Sequence, residues 1–533
     1  MKKLHVKLLG LCLGAVLFNS CTSDLDTISD DPNVFTSESF YAQPGAYRQA
    51  LAGVYGNLSL TGTSGSGSSF LSGIDAGTSQ YGRCLWYMQD LSTDEVIWSY
   101  ESDPGTREIQ RNIWTASNPI ILGMFSRAMV GVAICNDYLR QTTPEKLSSR
   151  GVSDEQLLAD IDNYRNEARV IRALEYYHMM DLFGKAPFAD ENSLQGSSPP
   201  EYNRQQLFDF VESELNDAMS HLKAARTNEA GRLDQGMAHM ILAKIYLNAE
   251  VYTGTNRYND CVDQCNAVIA GGYTLNPNYL NNFNADNNTS PEMIFAIESD
   301  GIVTQNYGPT TVMVNGSVGS IEQNGTALGV SSSGWGGALR LRKQFVQKFE
   351  GSEFNNDVRK TIISGSRPID ISNIANRDQG YILQKFSNVS STGVAGVNTT
   401  FVDTDFPLFR LADVYLMYAE CALRGASNAN AGQALTYVNA LRERANNGST
   451  AANIDQADLT LDFILDERAR ELHWEAHRRQ DLIRFNKYTG GAYNWAWKGN
   501  GQNGIALQNY LKLYPIPANS LAANQNLTQN PGY

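Results

Sequence analysis

The chain has few cysteines, and they are poorly arranged for disulfides or metals. Seven occur in 533 residues, and only five lie beyond the first 21: Cys84, Cys135, Cys261, Cys265 and Cys421. An odd and sparse set of this kind excludes a disulfide framework. Cys261 and Cys265 lie four residues apart in a helical pattern with no further zinc ligands nearby, so we interpret them as small buried hydrophobes.

Positive charge is also scarce. The formal net charge is −14, and it becomes −17 once Lys2, Lys3 and Lys7 are removed with the N-terminal leader described below. A protein this acidic is poorly suited to binding nucleic acid or an anionic membrane surface. The charge therefore argues against those partners and fits a soluble, secreted body, and the 42% of apolar residues is that of a globular protein.

Long apolar runs are absent except at the N-terminus. Residues 8–18 form an apolar run of eleven residues behind three lysines, which is shorter than the roughly 20 residues that span a bilayer. A basic start, a short apolar run and the small Ser20 predict a secretory signal peptide over residues 1–20. Since Cys21 follows the cut, we expect a bacterial lipoprotein acylated at Cys21 and no later stretch that approaches a transmembrane helix.

The rest of the chain divides into a tether and a body. Residues 21–35 are acidic and lack periodicity, so we interpret them as a tether to the lipid. Residues 36–533 are expected to form a single body, in which helical periodicity alternates with stretches rich in Asn, Gly, Ser and Thr. The helical segments are mainly 36–60, 120–272 and 406–487, and the loop-rich segments are mainly 61–119 and 273–405. Long irregular segments inside compact proteins are usually functional, so we expect the ligand to bind there.

The helical pattern contains recurring pairs. Residues 161–183 place apolar side chains at three- and four-residue spacing, which indicates one buried helix face. Residues 235–252 and 258–270 resemble a tetratricopeptide helix pair, in which small residues let two helices approach. A similar pair recurs at 411–423 and 432–445. We therefore predict a mainly α fold in which such pairs form a scaffold for a loop-rich, irregular region.

Three segments of the C-terminal third carry a family resemblance. They are FPLFRLADVYLMYAECALR (406–424), ILDERARELHWEAHRRQDLIRFNK (464–487) and LYPIPANSLAANQNLTQNPGY (513–533). Together with EARVIRALEYYHMMDLFGKAPF (167–188), they resemble the SusD/RagB family over essentially the whole chain after the signal peptide. The acidic residues after Cys21 also resemble the surface-export signal of Bacteroidetes lipoproteins.

The resemblance implies a fold and a role. The family's fold is mainly helical, with four tetratricopeptide-like helix pairs supporting an irregular ligand-binding face. Its members are lipid-anchored in the outer membrane and face the exterior. They capture oligosaccharide or polysaccharide and deliver it to a SusC-like TonB-dependent barrel, without chemistry and without a cofactor, although a structural calcium ion is left open. The alternative within the same scaffold is a peptide-binding protein, or one that mainly docks as a lid on the transporter.

The resemblance also points to particular binding residues. Residues 73–100 are similar to the early loop of the family's starch-binding branch. By position, Tyr100 would be the ring that stacks on a sugar, where that branch has Trp. Arg83 would donate to hydroxyls, and Asp103 would stand where that branch has Asn. Trp98 lies two residues from Tyr100 and would share its face in an extended run, although we expect it to be partly buried.

Two further aromatic residues lie in loops. Sugar rings present apolar C–H faces that stack on aromatic rings. Trp335, in SSSGWGGALR (331–340), lies among glycines that would leave its ring exposed, and Tyr307 lies in the loop NYGPTT (306–311). The predicted carbohydrate-binding set is Arg83, Trp98, Tyr100, Asp103, Tyr307 and Trp335.

The sequence offers only poor candidates for catalytic residues, and a glycoside hydrolase is a remote alternative. It would need two carboxylates flanking a sugar, and the candidates are Asp94 with Glu95 or Glu467 with Glu471. Adjacent carboxylates in an extended segment point to opposite sides. The helical pair has basic neighbours that would keep both groups ionised. We therefore expect no catalytic residues.

The pattern of residues 464–487 predicts one continuous helix, which we call the signature helix because it belongs to the family resemblance. Glu467, Glu471 and Glu475 step at four residues among several arginines, which favours ion pairs that hold this helix to its neighbours. His473 and His477 would share a face, but the glutamate of HWEAH does not follow the first histidine as a zinc helix requires. We interpret both histidines as interior residues and expect no metal site.

Overall fold

The computed structural model describes residues 36–43 and 45–533. The signal peptide, the lipidated Cys21 and the acidic tether that we predict for residues 1–35 lie outside the described residues.

Helices make up most of the regular structure. The α-helices are α1 Ser37–Tyr41, α2 Ala46–Ser59, α3 Tyr81–Trp86, α4 Thr106–Gln110, α5 Pro119–Gln141, α6 Pro144–Ser149, α7 Glu155–Phe183, α8 Arg204–Met219, α9 Gln235–Leu247, α10 Ala249–Thr253, α11 Tyr258–Ala270, α12 Pro309–Gly316, α13 Lys343–Val346, α14 Leu411–Leu423, α15 Ala431–Ala445, α16 Leu461–Leu472, α17 Arg478–Arg484 and α18 Ala518–Ala523. A π-helical turn, Tyr87–Leu91, continues α3. The predicted mainly α class is confirmed.

Strands and single turns fill the loop-rich segments. The strands are β1 Val96–Trp98, β2 Lys185–Pro187, β3 Glu201–Asn203, β4 Met293–Ile297, β5 Leu339–Leu341, β6 Ile362–Ile363, β7 Ile382–Leu383 and β8 Phe406–Arg410. They pair antiparallel as β1–β5, β2–β3, β4–β8 and β6–β7. The 3-10 turns are Tyr279–Asn282, Asn287–Thr289, Gly325–Leu328, Gln347–Phe349, Ser352–Phe354, Thr450–Ala452, Lys498–Asn500 and Asn509–Lys512.

The helices pack as a series of neighbours. Helix α5 packs against α2 and α7, and α7 packs in turn against α8. Further along the chain, α9 packs against α11, α11 against α14, and α14 against α15. The segments that sequence periodicity predicted as pairs are therefore neighbours in space, and they form a continuous scaffold around the core.

Helix α7 is capped at both ends, which fixes its bounds. It is also more buried than its sequence pattern indicates. The Asp154 carboxylate accepts from the Leu157 amide at 2.7 Å, and Gly184 ends the helix with φ of 70°. A Cβ at Gly184 would lie 2.9 Å from Leu513, so the C-terminal segment packs where only glycine fits. The C-terminal half of α7 is buried on all sides rather than on one face.

Helix α5 corrects the expectation that no later stretch approaches a transmembrane helix. Pro119–Gln141 is long and apolar enough by length and composition to cross a membrane. In this fold, 61% of its most apolar window is buried inside the protein. Its position between α2 and α7 accounts for its composition, because a core helix meets apolar neighbours on several sides.

The prediction of one continuous helix over 464–487 is wrong. Helix α16 ends at Leu472 and α17 begins at Arg478, and Trp474 and Ala476 have φ of 64° and 63°. Two buried carboxyl groups hold this break. Glu95 accepts from the Trp474 amide at 3.0 Å, and Asp90 accepts from the Ala476 amide at 2.7 Å. The break places the Trp474 ring fully inside the core, which a straight helix need not do.

The ion pairs predicted for this region are confirmed. Arg410 donates to Glu475 at 2.6 and 2.8 Å and to Glu471 at 2.6 Å. Arg359 donates to Glu467 at 2.7 Å and to Glu471 at 3.1 Å. Burial alone would raise the pKa of Glu467, but Arg359 and the neighbouring guanidinium groups lower it to about 2. These pairs hold the signature segment to β8 and to the loop that contains Arg359.

Candidate functional site

The pairing of β1 with β5 builds the site. Trp98 at the end of β1 lies opposite Leu339, so the early segment meets the loop that contains Trp335. The Trp98 ring contacts three other rings edge to face, with centroids 6.0 Å from Tyr87, 6.1 Å from Tyr100 and 6.1 Å from Trp335. We call these four residues the Trp98 cluster. Such edge-to-face pairs stabilise a defined arrangement of rings.

Trp98 is the buried centre of this cluster. Only 2% of it is exposed, so it is more buried than the partial burial that we expected. Its indole N–H donates to Asp103 Oδ2 at 2.9 Å. Trp98 therefore supports the other rings and orients the Asp103 carboxylate, and it offers no stacking face of its own.

Tyr100 and Trp335 are half-buried and are joined by a hydrogen bond. The Tyr100 hydroxyl donates to the Trp335 carbonyl at 2.7 Å, and the Trp335 amide donates to the Asn315 carbonyl at 3.0 Å. Gly334, before Trp335, has φ of 43°, and a Cβ there would lie 2.4 Å from Val318. The glycine therefore permits the sharp turn that brings the Trp335 backbone to the Tyr100 hydroxyl and its ring to Trp98.

Arg83 links the cluster to Tyr307. The residue lies on α3 rather than in an open loop, and 8% of it is exposed. Its guanidinium donates to the Tyr87 hydroxyl at 3.0 and 2.9 Å and to the Tyr307 carbonyl at 3.4 Å. Most of its hydrogen-bonding capacity is therefore used within the protein, which fits a positioning role better than that of a free donor.

Tyr307 completes the set of predicted residues. Its ring is half-buried and packs edge to face on Phe401, with centroids 5.0 Å apart. A Cβ at Gly77 would lie 2.8 Å from the Tyr307 Cβ, so the 73–80 loop approaches it closely. The six predicted residues are thus joined by one continuous chain of contacts.

Three residues of this region were missed by sequence reasoning. Tyr87 supports both Arg83 and Trp98, Phe401 backs Tyr307, and Arg377 donates to the Tyr100 hydroxyl at 3.0 Å. Tyr87 had a usable signal, because it lies four residues after Arg83. Arg377 had none, since it is 277 residues from Tyr100.

The carboxylate pairs considered for hydrolysis lie in the interior. Arg478 donates to both oxygens of Asp94 at 2.7 Å, and Tyr493 donates to the same carboxylate at 2.6 Å. Burial opposes ionisation of Asp94, but Arg478 outweighs it and the pKa of Asp94 is lowered. Burial and the nearby Asp90 raise the pKa of Glu95 well above its usual range. Both carboxyl groups are buried, as are Glu467 and Glu471.

The two histidines considered for zinc are separated by the break. His473 Nδ1 lies 3.0 Å from the Arg470 carbonyl, and His477 Nδ1 lies 3.2 Å from Lys244 Nζ. Burial lowers the pKa of both histidines well below its usual value, and Lys244 lowers that of His477 further. Both are neutral interior residues, as the sequence indicated.

The fold and site define a helical scaffold protein with a half-buried aromatic face, and comparison with known proteins places it in a family. The model of the SusD family matches residues 239–533. The chain is 31% identical to the starch-binding protein SusD of Bacteroides thetaiotaomicron, over all of both chains. It is 26% identical to SusD-like protein P25 of Formosa agariphila, over 99% of this chain and all of that one. This protein belongs to the SusD family.

Solved structures share the fold. A SusD homolog from Bacteroides thetaiotaomicron has a TM-score of 0.70 and 19% identity, and covers 93% of this chain and 98% of its own. Surface glycan-binding protein A from the same species, solved with laminarihexaose, has a TM-score of 0.67 and 22% identity, and covers 91% and 99%. At these identities the likeness concerns the fold.

Proposed function

We propose that this protein binds a neutral oligosaccharide or polysaccharide on the face formed by Tyr100, Trp335 and Tyr307. The proposal rests on two half-buried rings, Tyr100 and Trp335, which both pack against the buried Trp98. The exposed parts of these half-buried rings can stack on the apolar C–H surface of a sugar, and their fixed orientation lowers the entropy cost of stacking.

The polar groups around these rings fit the same ligand. One oxygen of the Asp103 carboxylate accepts from Trp98, which orients the group and leaves the other oxygen for a sugar hydroxyl. The names of two similar proteins, a starch-binding protein and a surface glycan-binding protein, support this ligand class. Tyr100 and Asp103 replace the Trp and Asn of the starch-binding branch, so we expect a preference other than strict α-glucan.

The protein would hold its ligand without cleaving it. The carboxylate pairs that could serve a hydrolase are engaged inside the fold, as Asp94 is with Arg478. A general acid also needs a carboxyl that reaches the glycosidic oxygen. We therefore propose a binding protein that does no chemistry.

The proposed setting is the outer face of the outer membrane. Acylation at Cys21 would anchor the body, and the acidic tether would carry it to the exterior. From there it would deliver glycan to a SusC-like TonB-dependent barrel. A single acyl chain binds membranes only marginally, so several chains on Cys21 are expected.

Affinity electrophoresis on a panel of polysaccharides tests the ligand assignment. We expect the parent to be retarded by at least one neutral glycan, and Tyr100→Ala and Trp335→Ala each to abolish that retardation. Tyr510→Ala, which removes an exposed aromatic residue of the C-terminal segment, is the matched control and should bind like the parent.

Two results would count against the proposal. If both site variants bind as the parent does, the assigned face is wrong. If no polysaccharide retards the parent while a peptide library yields a ligand, the cargo is peptide. Recovery of a barrel partner in a pull-down is expected with either cargo and tests the delivery step.

A further inference from the structure

The loop of residues 374–380 contacts the Trp98 cluster, and buried arginines donate hydrogen bonds to its backbone. Arg340 on β5 donates to the carbonyls of Asn376, Ile374 and Gln379, the last at 3.0 Å. Arg367 donates to the Arg377 carbonyl at 2.7 Å. Since Arg340 and Trp335 belong to the same short stretch of chain, this loop and the aromatic face have fixed relative positions.

Arg377 projects from this loop onto Tyr100. Its Nη1 donates to the Tyr100 hydroxyl at 3.0 Å, and its guanidinium carbon lies 5.7 Å from the Tyr100 ring centroid. A Cβ at Gly336 would lie 3.0 Å from the same Nη1, so the glycine after Trp335 leaves room for the guanidinium. The arginine therefore lies at the hydroxyl end of the ring.

The rest of this guanidinium is available to a ligand. Arg377 is exposed, and its Nε and Nη2 make no hydrogen bond within residues 36–43 and 45–533. Two carboxylates of nearby segments are paired with other cations, Glu322 with Arg367 and Asp370 with Lys343. Arginine offers five N–H donors in a planar fork, so donors remain after the bond to Tyr100.

We propose that Arg377 is a ligand-contacting residue that helps to determine which sugar this site accepts. Its remaining N–H groups donate to hydroxyl oxygens of the sugar ring that stacks on Tyr100. The inference rests on the proposed glycan-binding function and adds a specificity-determining donor to it. The hydroxyls belong to a neutral sugar, because the Asp103 carboxylate on the same cluster and the net charge of −14 disfavour a polyanion.

A rival account is that Arg377 only orients Tyr100. A double-mutant cycle separates the two accounts, because Tyr100→Phe keeps the ring and removes the hydroxyl that Arg377 contacts. If Arg377 contacts the sugar directly, Arg377→Ala weakens binding by about tenfold in both the parent and the Tyr100→Phe background. If it acts only through the hydroxyl, Arg377→Ala has no effect in the Tyr100→Phe background, and the proposal is overturned.

The experiment is isothermal titration calorimetry with the neutral oligosaccharide that the parent binds, at two salt concentrations. Arg377→Lys should bind with an affinity between those of the parent and Arg377→Ala, because the ammonium keeps N–H donors but lacks the planar fork of the guanidinium. Lys343→Ala, which removes an exposed cation elsewhere, should leave affinity unchanged. Arg377 is exposed, so its variants should unfold at the parent's temperature, and a large drop would overturn the assignment of a surface contact.

The outcomes distinguish this inference from the proposed function. If Tyr100→Ala abolishes binding while Arg377→Ala does not change it, the function stands and the inference fails. If the parent binds polygalacturonate with an affinity that falls steeply with salt, the ligand is anionic and the neutral assignment fails. If the parent binds no glycan, the proposed function itself fails.

Discussion

Two regions of this protein use aromatic and charged side chains in opposite ways. Around α16 and the break after it, arginines and glutamates are fully buried and paired with one another, as Arg410 is with Glu471 and Glu475. Around Trp98, the rings of Tyr100 and Trp335 are half-buried, and Arg377 keeps N–H donors that no residue of 36–43 and 45–533 accepts. Buried charges must be satisfied internally, whereas a binding face must leave groups for its ligand. The comparison separates residues that hold the fold from residues that could bind.

Removing an arginine from the buried network should have the largest effect on stability. Arg410→Met would leave Glu292, Glu471 and Glu475 without their shared partner, and we expect a loss of about 3–5 kcal/mol in the free energy of unfolding. Urea denaturation measures it. The control is Lys343→Ala, whose exposed pair with Asp370 should contribute less than about 1 kcal/mol. Equal losses in the two variants would contradict the distinction between the two regions.

The carboxylates that hold the break should make stability depend on pH. Burial raises the pKa of Asp90 to about 7. A group whose pKa is raised on folding stabilises the fold while it is protonated. That contribution is complete below the pKa of the group in the unfolded chain, near 4, and is lost as pH rises through 7. As pH rises from 4 to 8, we therefore expect the free energy of unfolding to fall by roughly 2–4 kcal/mol less in Asp90→Asn than in the parent.

Urea denaturation across that pH range gives the difference between variant and parent. Histidines that burial keeps neutral, such as His473, change stability in the opposite direction over part of the range. They are common to both proteins and cancel in the comparison. A pH dependence identical in the two proteins would show that Asp90 is ionised in the fold.

Trp98 belongs to both roles, so a mild change there should affect both readouts. Trp98→Phe removes the indole N–H that holds Asp103 and part of the ring that Tyr100 and Trp335 contact. We expect a loss of about 1–2 kcal/mol in stability and a several-fold loss in glycan affinity. Thermal unfolding and calorimetry measure the two effects. Loss of stability with unchanged affinity would place the ligand elsewhere.

Asp103→Asn should have the smallest effect on the fold. The residue is half-buried and the amide oxygen can still accept from Trp98, so we expect a change below about 1 kcal/mol in stability. The amide adds a donor where the carboxylate only accepts. The ranking of sugars on a glycan array should therefore shift, and an unchanged ranking would mean that Asp103 does not touch the ligand.

Sequence periodicity predicted the scaffold well. Helix α11 has the predicted bounds 258–270, and α14 has the predicted bounds 411–423. Periodicity failed at 464–487, because Asp90 and Glu95, almost 400 residues earlier, hold the break at Trp474. Local pattern contains no information about partners so distant along the chain.

The same limit explains the candidate site. Resemblance to the family named Tyr100 and Arg83, and the glycines around it named Trp335, but neither signal fixed how buried each residue would be. The β1–β5 pairing buries Trp98 and leaves Tyr100 half-buried, although the two lie two residues apart. Arg377 reaches Tyr100 only because Arg340 and Arg367 hold its loop.

The order of residues by itself determined the family, the helical scaffold, the absence of a disulfide framework and the candidate aromatic residues, because these follow from local spacing and composition. Only the tertiary structure decided where the signature segment breaks and that Arg377 joins the site. It also decided that Trp98 is buried beneath the other rings while Trp335 stays partly accessible. Those features depend on burial and on hydrogen bonds between segments hundreds of residues apart, which arise only when the chain is folded.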